Sequence, residues 1–207
     1  MNMNALRITS SVVLRNGIAT REGSVVLKSE AKDAAGFSRE LYKNIGADYP
    51  KFFKMDTLCK LAFVSVELLL KGHSLEAYGA DEVALVFANA NASLNTDRTY
   101  YKSIEDKKNY FPSPAIFVYT LPNIMMGEIC IRHKLLGENI FFISEKFDAG
   151  LLSSYSTELI ATGKAKCVIA GWVEINEENY ESAMFLLEQG ETGNLELSEE
   201  NMAKVYK

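Results

Sequence analysis

The sequence predicts an α/β fold: a mostly parallel sheet with helices on both faces and an antiparallel contribution at an edge. Three observations predict it. Short continuous apolar runs at Val83 to Ala88, Ile140 to Ile143 and Cys167 to Ala170 have the character of strands covered on both faces. Longer stretches between them carry apolar residues three or four apart, the spacing of a helix face. Near the start, Asn16-Gly17 follows an apolar run and accepts the positive backbone angles of a tight hairpin turn.

Taken in order, Leu6 to Leu14 reads as the opening strand. Val25-Val26-Leu27 is its expected return, with Gly23 ending the loop. Residues 33 to 45 read as a helix, with Phe37, Leu41 and Ile45 on one face and Gly46 at its end. Pro50 breaks that pattern before Phe52. Asp56 is placed to cap a helix beginning near Thr57. Leu58, Leu61, Ala62, Leu68 and Leu69 give this helix an apolar face wider than a stripe, so burial is expected, and Gly72 stops it. The strand at Val83 to Ala88 leads into the polar stretch Asn89-Ala90-Asn91-Ala92-Ser93. Residues 94 to 119 are rich in aromatic side chains, and Pro112 and Pro114 argue against a long regular element there. A second long helix is expected from about Leu121 to Leu135, with Thr120 as cap, Pro122 in its first turn and Gly137 ending it. The strand at Ile140 to Ile143 follows, then a helix from about Gly150 to Thr162 closed by Gly163. Cys167 opens the next strand, and Met184 to Leu187 reads as the last substantial one. Residues 190 to 200 read as an acidic turn with an edge strand around Leu195-Leu197.

With 48% hydrophobic residues in 207, the chain has material for one substantial core. Twenty-seven acidic against 22 basic side chains give a net charge of -5. That argues against a dominant nucleic-acid surface, which needs a concentrated basic field. No apolar run reaches transmembrane length, so no membrane insertion is expected. Met1 to Asn4 lack a basic region followed by an apolar run, and three cysteines are too few for a disulfide scaffold. A cytoplasmic protein is expected.

The chemistry-bearing residues are few. His73 and His133 are the two histidines, and no Cys/His spacing forms a zinc pattern. There is no phosphate-loop or dinucleotide fingerprint. No metal or cofactor is expected. Cys59, Cys130 and Cys167 fall within predicted helices or a strand, away from any strand-to-helix turn that would favour a thiolate. Two loops do occupy the carboxyl ends of strands, where open α/β sheets present their ligands. The first holds Asn89 and Asn91, which serve equally well as turn residues. The second, Ser144-Glu145-Lys146-Phe147-Asp148, is a strand-to-helix turn. Asp148 as a helix cap and Glu145-Lys146 as a surface pair account for it structurally. Glu145, Lys146 and Asp148 are nevertheless candidates for an altered site.

Four segments, in order, resemble the N-terminal half of a beta-ketoacyl synthase of the thiolase-like superfamily. They are Lys54-Met55-Asp56 before a long helix, Leu121-Pro122-Asn123 through Leu135-Leu136-Gly137, Glu158-Leu159-Ile160 through Gly163-Lys164-Ala165 to Ile169-Ala170-Gly171-Trp172-Val173-Glu174, and Glu181 to Glu188. The resemblance implies a thiolase-like half with a five-stranded sheet, residues 1–207 forming a single ketosynthase N-terminal-like domain. Counting back from Glu158-Leu159-Ile160, the family's nucleophilic cysteine aligns with Lys146, and no cysteine occurs between Cys130 and Cys167. The second α/β half, which in the family carries two catalytic histidines, is absent from this chain. The resemblance therefore implies a non-catalytic ketosynthase-like subunit. It would pair with an active ketosynthase or an acyl carrier protein in fatty-acid or polyketide-type biosynthesis. Two alternatives stand beside it: an acyl-transferring enzyme with altered chemistry at Lys146 or Asp148, and a homodimeric structural or ligand-binding protein. A lone half is expected to leave apolar surface uncovered, so a homodimer or a heterodimer is anticipated. The expected contributors are Ile124, Met125, Ile129, Phe141, Phe142, Phe117 and Tyr119.

Overall fold

The computed structural model describes residues 5–176, 179–190 and 195–207. The chain opens with three strands, β1 (Leu6–Arg15), β2 (Ile18–Arg21) and β3 (Ser24–Lys28), all antiparallel. Two two-residue turns join them, Asn16-Gly17 with φ of 52° and 74° and Glu22-Gly23 with φ of 52° and 76°. The Asn-Gly turn forms where expected, but the strand it returns is β2. Val25 to Leu27 belongs to a third strand, reached through a Glu-Gly turn that a Gly23 loop end only half suggested.

Helix α1 (Ala34–Asn44) starts at Asp33, whose carboxylate accepts from Gly36 N at 2.6 Å. A 3-10 turn at Pro50–Lys54 precedes α2 (Thr57–Leu69). Asp56 caps α2 by accepting from Cys59 N at 2.8 Å. Ten of its 13 residues are buried, which is the wide apolar face turned into a core helix. Each buried Leu, Val or Phe there stabilises the fold by about 1.5–3 kcal/mol relative to exposure.

Then come β4 (Val83–Asn89), α3 (Leu94–Lys102), the short α4 (Pro114–Phe117), α5 (Ile124–His133) and β5 (Asn139–Ile143). The chain ends with α6 (Ala149–Ala161), β6 (Cys167–Asn176), β7 (Asn179–Gln189), β8 (Leu195–Glu196) and α7 (Glu199–Tyr206). Helix α5 is shorter than the expected 121 to 135, because Leu121 to Asn123, with Pro122 among them, form a separate turn before it. Its end is set by Lys134, which adopts the left-handed conformation (φ 56°). Gly137, expected to end it, has another role. A Cβ there would lie 2.3 Å from the Val83 carbonyl oxygen, so glycine lets the chain cross the start of β4. The acidic turn expected after residue 190 lies partly outside the described residues.

The strands form one sheet in the order β3-β2-β1-β7-β6-β4-β5, with β8 pairing β1. The α/β class, the helices on both faces and the antiparallel contribution are as expected. The sheet itself is mixed, with eight strands in place of the expected five. Two pairings are parallel, β4 with β5 and β4 with β6, and five are antiparallel. The physical reason lies in connection length. Parallel neighbours need a crossover of a dozen or more residues. The register from Asn176↔Asn179 leaves two residues between β6 and β7, enough only for a hairpin.

Alternation along the central strands divides the interior in two. Val83, Leu85 and Phe87 of β4, with Cys167, Ile169 and Val173 of β6, pack under α1, α2 and α5. Ala84, Val86 and Ala88, with Val168, Ala170 and Trp172, pack under α6 and α7. In β1 a bulge between Ile8 and Ser10 exchanges the faces, so Ile8 joins the second cluster while Val12 and Leu14 join the first. No single helix among the described residues is long and apolar enough to cross a membrane.

Candidate functional site

The carboxyl ends of β4, β5 and β6 lie together at one edge of the sheet. Asn89 ends β4 fully buried. Its Oδ1 accepts from Ala92 N at 2.8 Å and its Nδ2 donates to Ala92 O at 3.0 Å. Both polar atoms of the amide are therefore engaged in closing the loop. Asn91 turns the other way and donates through Nδ2 to Glu174 Oε1 at 2.8 Å. Glu174 Oε2 also accepts from Ala90 N at 2.6 Å and Asn91 N at 3.1 Å. Three donors thus converge on one buried carboxylate, which fixes the loop after β4 onto β6. Glu174 follows the apolar stretch of β6, a position that sequence reasoning did not single out.

The loop after β5 joins this edge through Ser144 N, which donates to Asn89 O at 2.9 Å. Asp148 is the N-cap of α6, accepting from Leu151 N at 2.8 Å. Glu145 and Lys146 are exposed. Phe147, between them and the cap, turns inward. Its ring stacks on Tyr206 of α7 at 4.0 Å between centroids and 12° between planes. It meets Trp172 edge-on at 6.4 Å and Phe185 at 6.1 Å. Glu181 closes the cluster, accepting from Trp172 Nε1 at 2.9 Å, Tyr206 OH at 2.8 Å and Arg15 Nε at 3.0 Å. The Arg15 guanidinium lies 4.5 Å from the centre of the Tyr206 ring. Burial and the Glu181 hydrogen bond push the Tyr206 hydroxyl up to about 12, so it stays a donor. Sequence reasoning found the loop but missed Phe147, Glu181 and Tyr206, which become neighbours only through the sheet.

The thiols lie elsewhere. Burial, and then the Asp56 carboxylate, raise Cys59 well above the ordinary thiol range. Burial also raises Cys130 and Cys167. His133 donates from Nε2 to Glu67 Oε1 at 2.9 Å, tying α5 to α2.

The expected interface residues separate into three groups. Met125 and Ile129 are buried in the core beneath α5 and cannot contribute to an outer face, because α5 turns that side toward α2. Ile124, Phe141 and Tyr119 are half-buried against the same cluster, and Tyr119 donates its hydroxyl to Glu128 Oε1 at 3.3 Å. Phe142 packs on the opposite face, edge-on to Tyr155 at 5.3 Å. Phe117 is exposed. The large apolar side chains in the open around these elements are Leu121, Ile131 (61% exposed), Leu136 (80%) and Ile143 (59%).

A mixed α/β sheet covered on both faces, with loops at the carboxyl ends of its parallel strands, is also the fold of a class of solved structures, the ketosynthases and chain length factors. Solved structures of that class share it with this chain. The ishigamide ketosynthase/chain length factor superposes with a TM-score of 0.64 at 16% identity, covering 93% of this chain and 64% of that one. The ketosynthase ApeO in complex with its chain length factor ApeC, from Xenorhabdus doucetiae, gives 0.57 at 16% identity, covering 90% and 79%. The AntDE:AntF complex, a type II polyketide acyl-carrier protein with its ketosynthase, gives 0.59 at 14% identity, covering 90% and 63%. The chain therefore spans just under two-thirds of the length of the first of these. No family model matches the sequence, and no curated protein matches it.

Proposed function

We propose that this chain is a non-condensing ketosynthase-like subunit, a single ketosynthase N-terminal-like domain of the cytoplasm. It pairs with an active ketosynthase or an acyl carrier protein in fatty-acid or polyketide-type biosynthesis. The observation that carries the reading is the loop at 144–148. At the position aligned with the family nucleophile stands Lys146, exposed to solvent, and the next side chain, Phe147, is packed under Tyr206. No thiol lies in that loop, and the three thiols of the chain are held protonated by burial. Without a thiolate there is no ordinary acyl-enzyme intermediate. Asp148 is engaged through Oδ1 as the cap of α6.

The pairing surface we propose is the free edge of β5 with its surroundings. β5 ends the strand order, bonded among the described residues to β4 alone, and its sequence Asn-Ile-Phe-Phe-Ile makes an apolar edge of the kind that templates another strand. Ile143, Leu136 and Leu121 add uncovered apolar area. The outward side of α6 is different. Ser154, Thr157 and Glu158 are exposed there, a polar face that suits water. Co-expression with a ketosynthase from the same genome, followed by light scattering, tests the reading. A complex of defined mass that condenses acyl and malonyl carrier proteins is expected, with the isolated chain inactive. Condensation by the isolated chain that persists after replacement of all three cysteines and Lys146 would overturn it.

A further inference from the structure

We infer that the groove between the α1–α2 corner and the α3–α4 segment binds a small amphipathic anion, a carboxylate or phosphate head on a short apolar tail. The groove has a volume of about 710 Å³, within the range of small-molecule sites. None of residues 144–148 lines it, so the inference is independent of the reading above. Its apolar lining comes from Met55 and Leu58, both buried, and from Ile116, Tyr119 and Ile175. Two cations line it as well, Arg39 of α1 and Lys54 at the end of the 3-10 turn. Both are exposed, and neither has a hydrogen bond or ion pair among the described residues.

The acids of the groove are differently placed. Asp33 accepts from Gly36 N at 2.6 Å. Asp56 accepts from Cys59 N at 2.8 Å and, through its second oxygen, from Thr96 Oγ1 at 2.6 Å. Both carboxylates thus serve as helix caps, and Asp56 also fastens α3 to the body. One oxygen of Asp33 and both oxygens of Asp56 thus accept hydrogen bonds, whereas Arg39 and Lys54 make none among the described residues. A neighbouring cation adds to the imbalance. Lys60, one turn into α2, is held below its ordinary pKa by burial and then by the positive charge of Arg39. A bound anion would relieve that repulsion, and an apolar tail would cover the half-buried Ile116, Tyr119 and Ile175.

Isothermal titration of the full chain with octanoate, octyl phosphate, octanol and inorganic phosphate tests this. Either octyl anion, or both, is expected to saturate one site, and the tighter one names the head group. Octanol and inorganic phosphate should bind at least ten-fold more weakly. The double variant R39Q/K54Q should lose ten-fold or more, whereas Lys108→Gln, away from the groove, should bind as wild type. Ala115→Trp, which fills the groove without touching either cation, should abolish binding. Circular dichroism verifies that each variant is folded, and Ile116→Ala, expected to weaken the octyl anions several-fold, replaces Ala115→Trp if that variant is not. Failure of both octyl anions to saturate overturns the inference. So does equal binding of octanol or of inorganic phosphate, or binding unchanged in R39Q/K54Q.

Discussion

Glu67, near the carboxyl end of α2, receives His133 Nε2 at 2.9 Å and Arg132 Nε at 3.3 Å, both from the last turn of α5. Burial alone would raise its pKa. The hydrogen bonds from His133 and Arg132 outweigh burial and hold the carboxyl below the ordinary carboxylate range. A carboxyl whose folded pKa is depressed contributes stability in full above its unfolded pKa, about 4.3. That contribution is lost as pH falls through the lower, folded value. At pH 7, Glu67→Gln should therefore cost about 1–2 kcal/mol, allowing for partial solvent screening. Urea unfolding of both proteins as a function of pH checks it: the gap between them should narrow below about pH 4 and close as pH falls through the lower, folded value. A gap that is the same at pH 3 and pH 7 would show that the charge is not what binds the helices. The partner of His133 lies 66 positions earlier in the chain, on another helix, where no local pattern reaches.

At the scale of elements, α7 is the informative case. It is eight residues long, and one of them, Met202, is fully buried. Ser198 accepts from Asn201 N at 3.1 Å, and Glu199 and Glu200 fill the first turn, a helix-start signal that sequence reasoning passed over. What the helix does could not be read locally. It lays Tyr206 over Phe147 and so closes the loop after β5 from above. Trp172, the single tryptophan of the chain, lies beneath at 2% exposure and reports on that closure. Tyr206→Ala should shift its emission to longer wavelength and lower stability by about 1–2 kcal/mol, the loss of one stacked ring and its hydrogen bond. Tyr206→Phe keeps the stack and should leave emission near that of the wild type. Unchanged emission in Tyr206→Ala would mean that α7 does not seal the cluster.

Over the whole molecule, the uncovered surface is distributed unevenly. The α6 side carries polar residues outward, and the apolar excess gathers around β5, α5 and the segment that precedes it. A lysine on the free edge should distinguish a pairing surface from a tolerated exposed strand. Ile143→Lys is expected to leave the chain folded, since Ile143 is 59% exposed. It should weaken self-association or association with a ketosynthase by ten-fold or more in light scattering over a concentration series. Association unchanged by Ile143→Lys would place the interface elsewhere.

The sequence by itself determined what depends on neighbours a few residues away. It determined the α/β class, the buried strands at β4 and the start of β6, the presence though not the burial of β5, the Asp56 cap, the Asn16-Gly17 turn, and the left-handed glycines that close α1 and α6 at Gly46 and Gly163. These follow from backbone sterics, capping and apolar periodicity, all short-range effects. Only the tertiary structure decided the direction of most strand pairings, the edge position of β5, which leaves a run expected to be covered on both faces at most half-buried, the inward turn of Met125 and Ile129, and the packing of the half-buried Phe147. It alone revealed Glu174 and Glu181 as anchors of the carboxyl edge. Those outcomes depend on which face an element presents once another arrives. The partners concerned, such as Arg15 and Glu181 at 3.0 Å, are 166 residues apart in the chain. An apolar run carries the same local signature whether its neighbour is parallel or antiparallel. Its partner is chosen by the connections available and by the packing of the sheet as a whole.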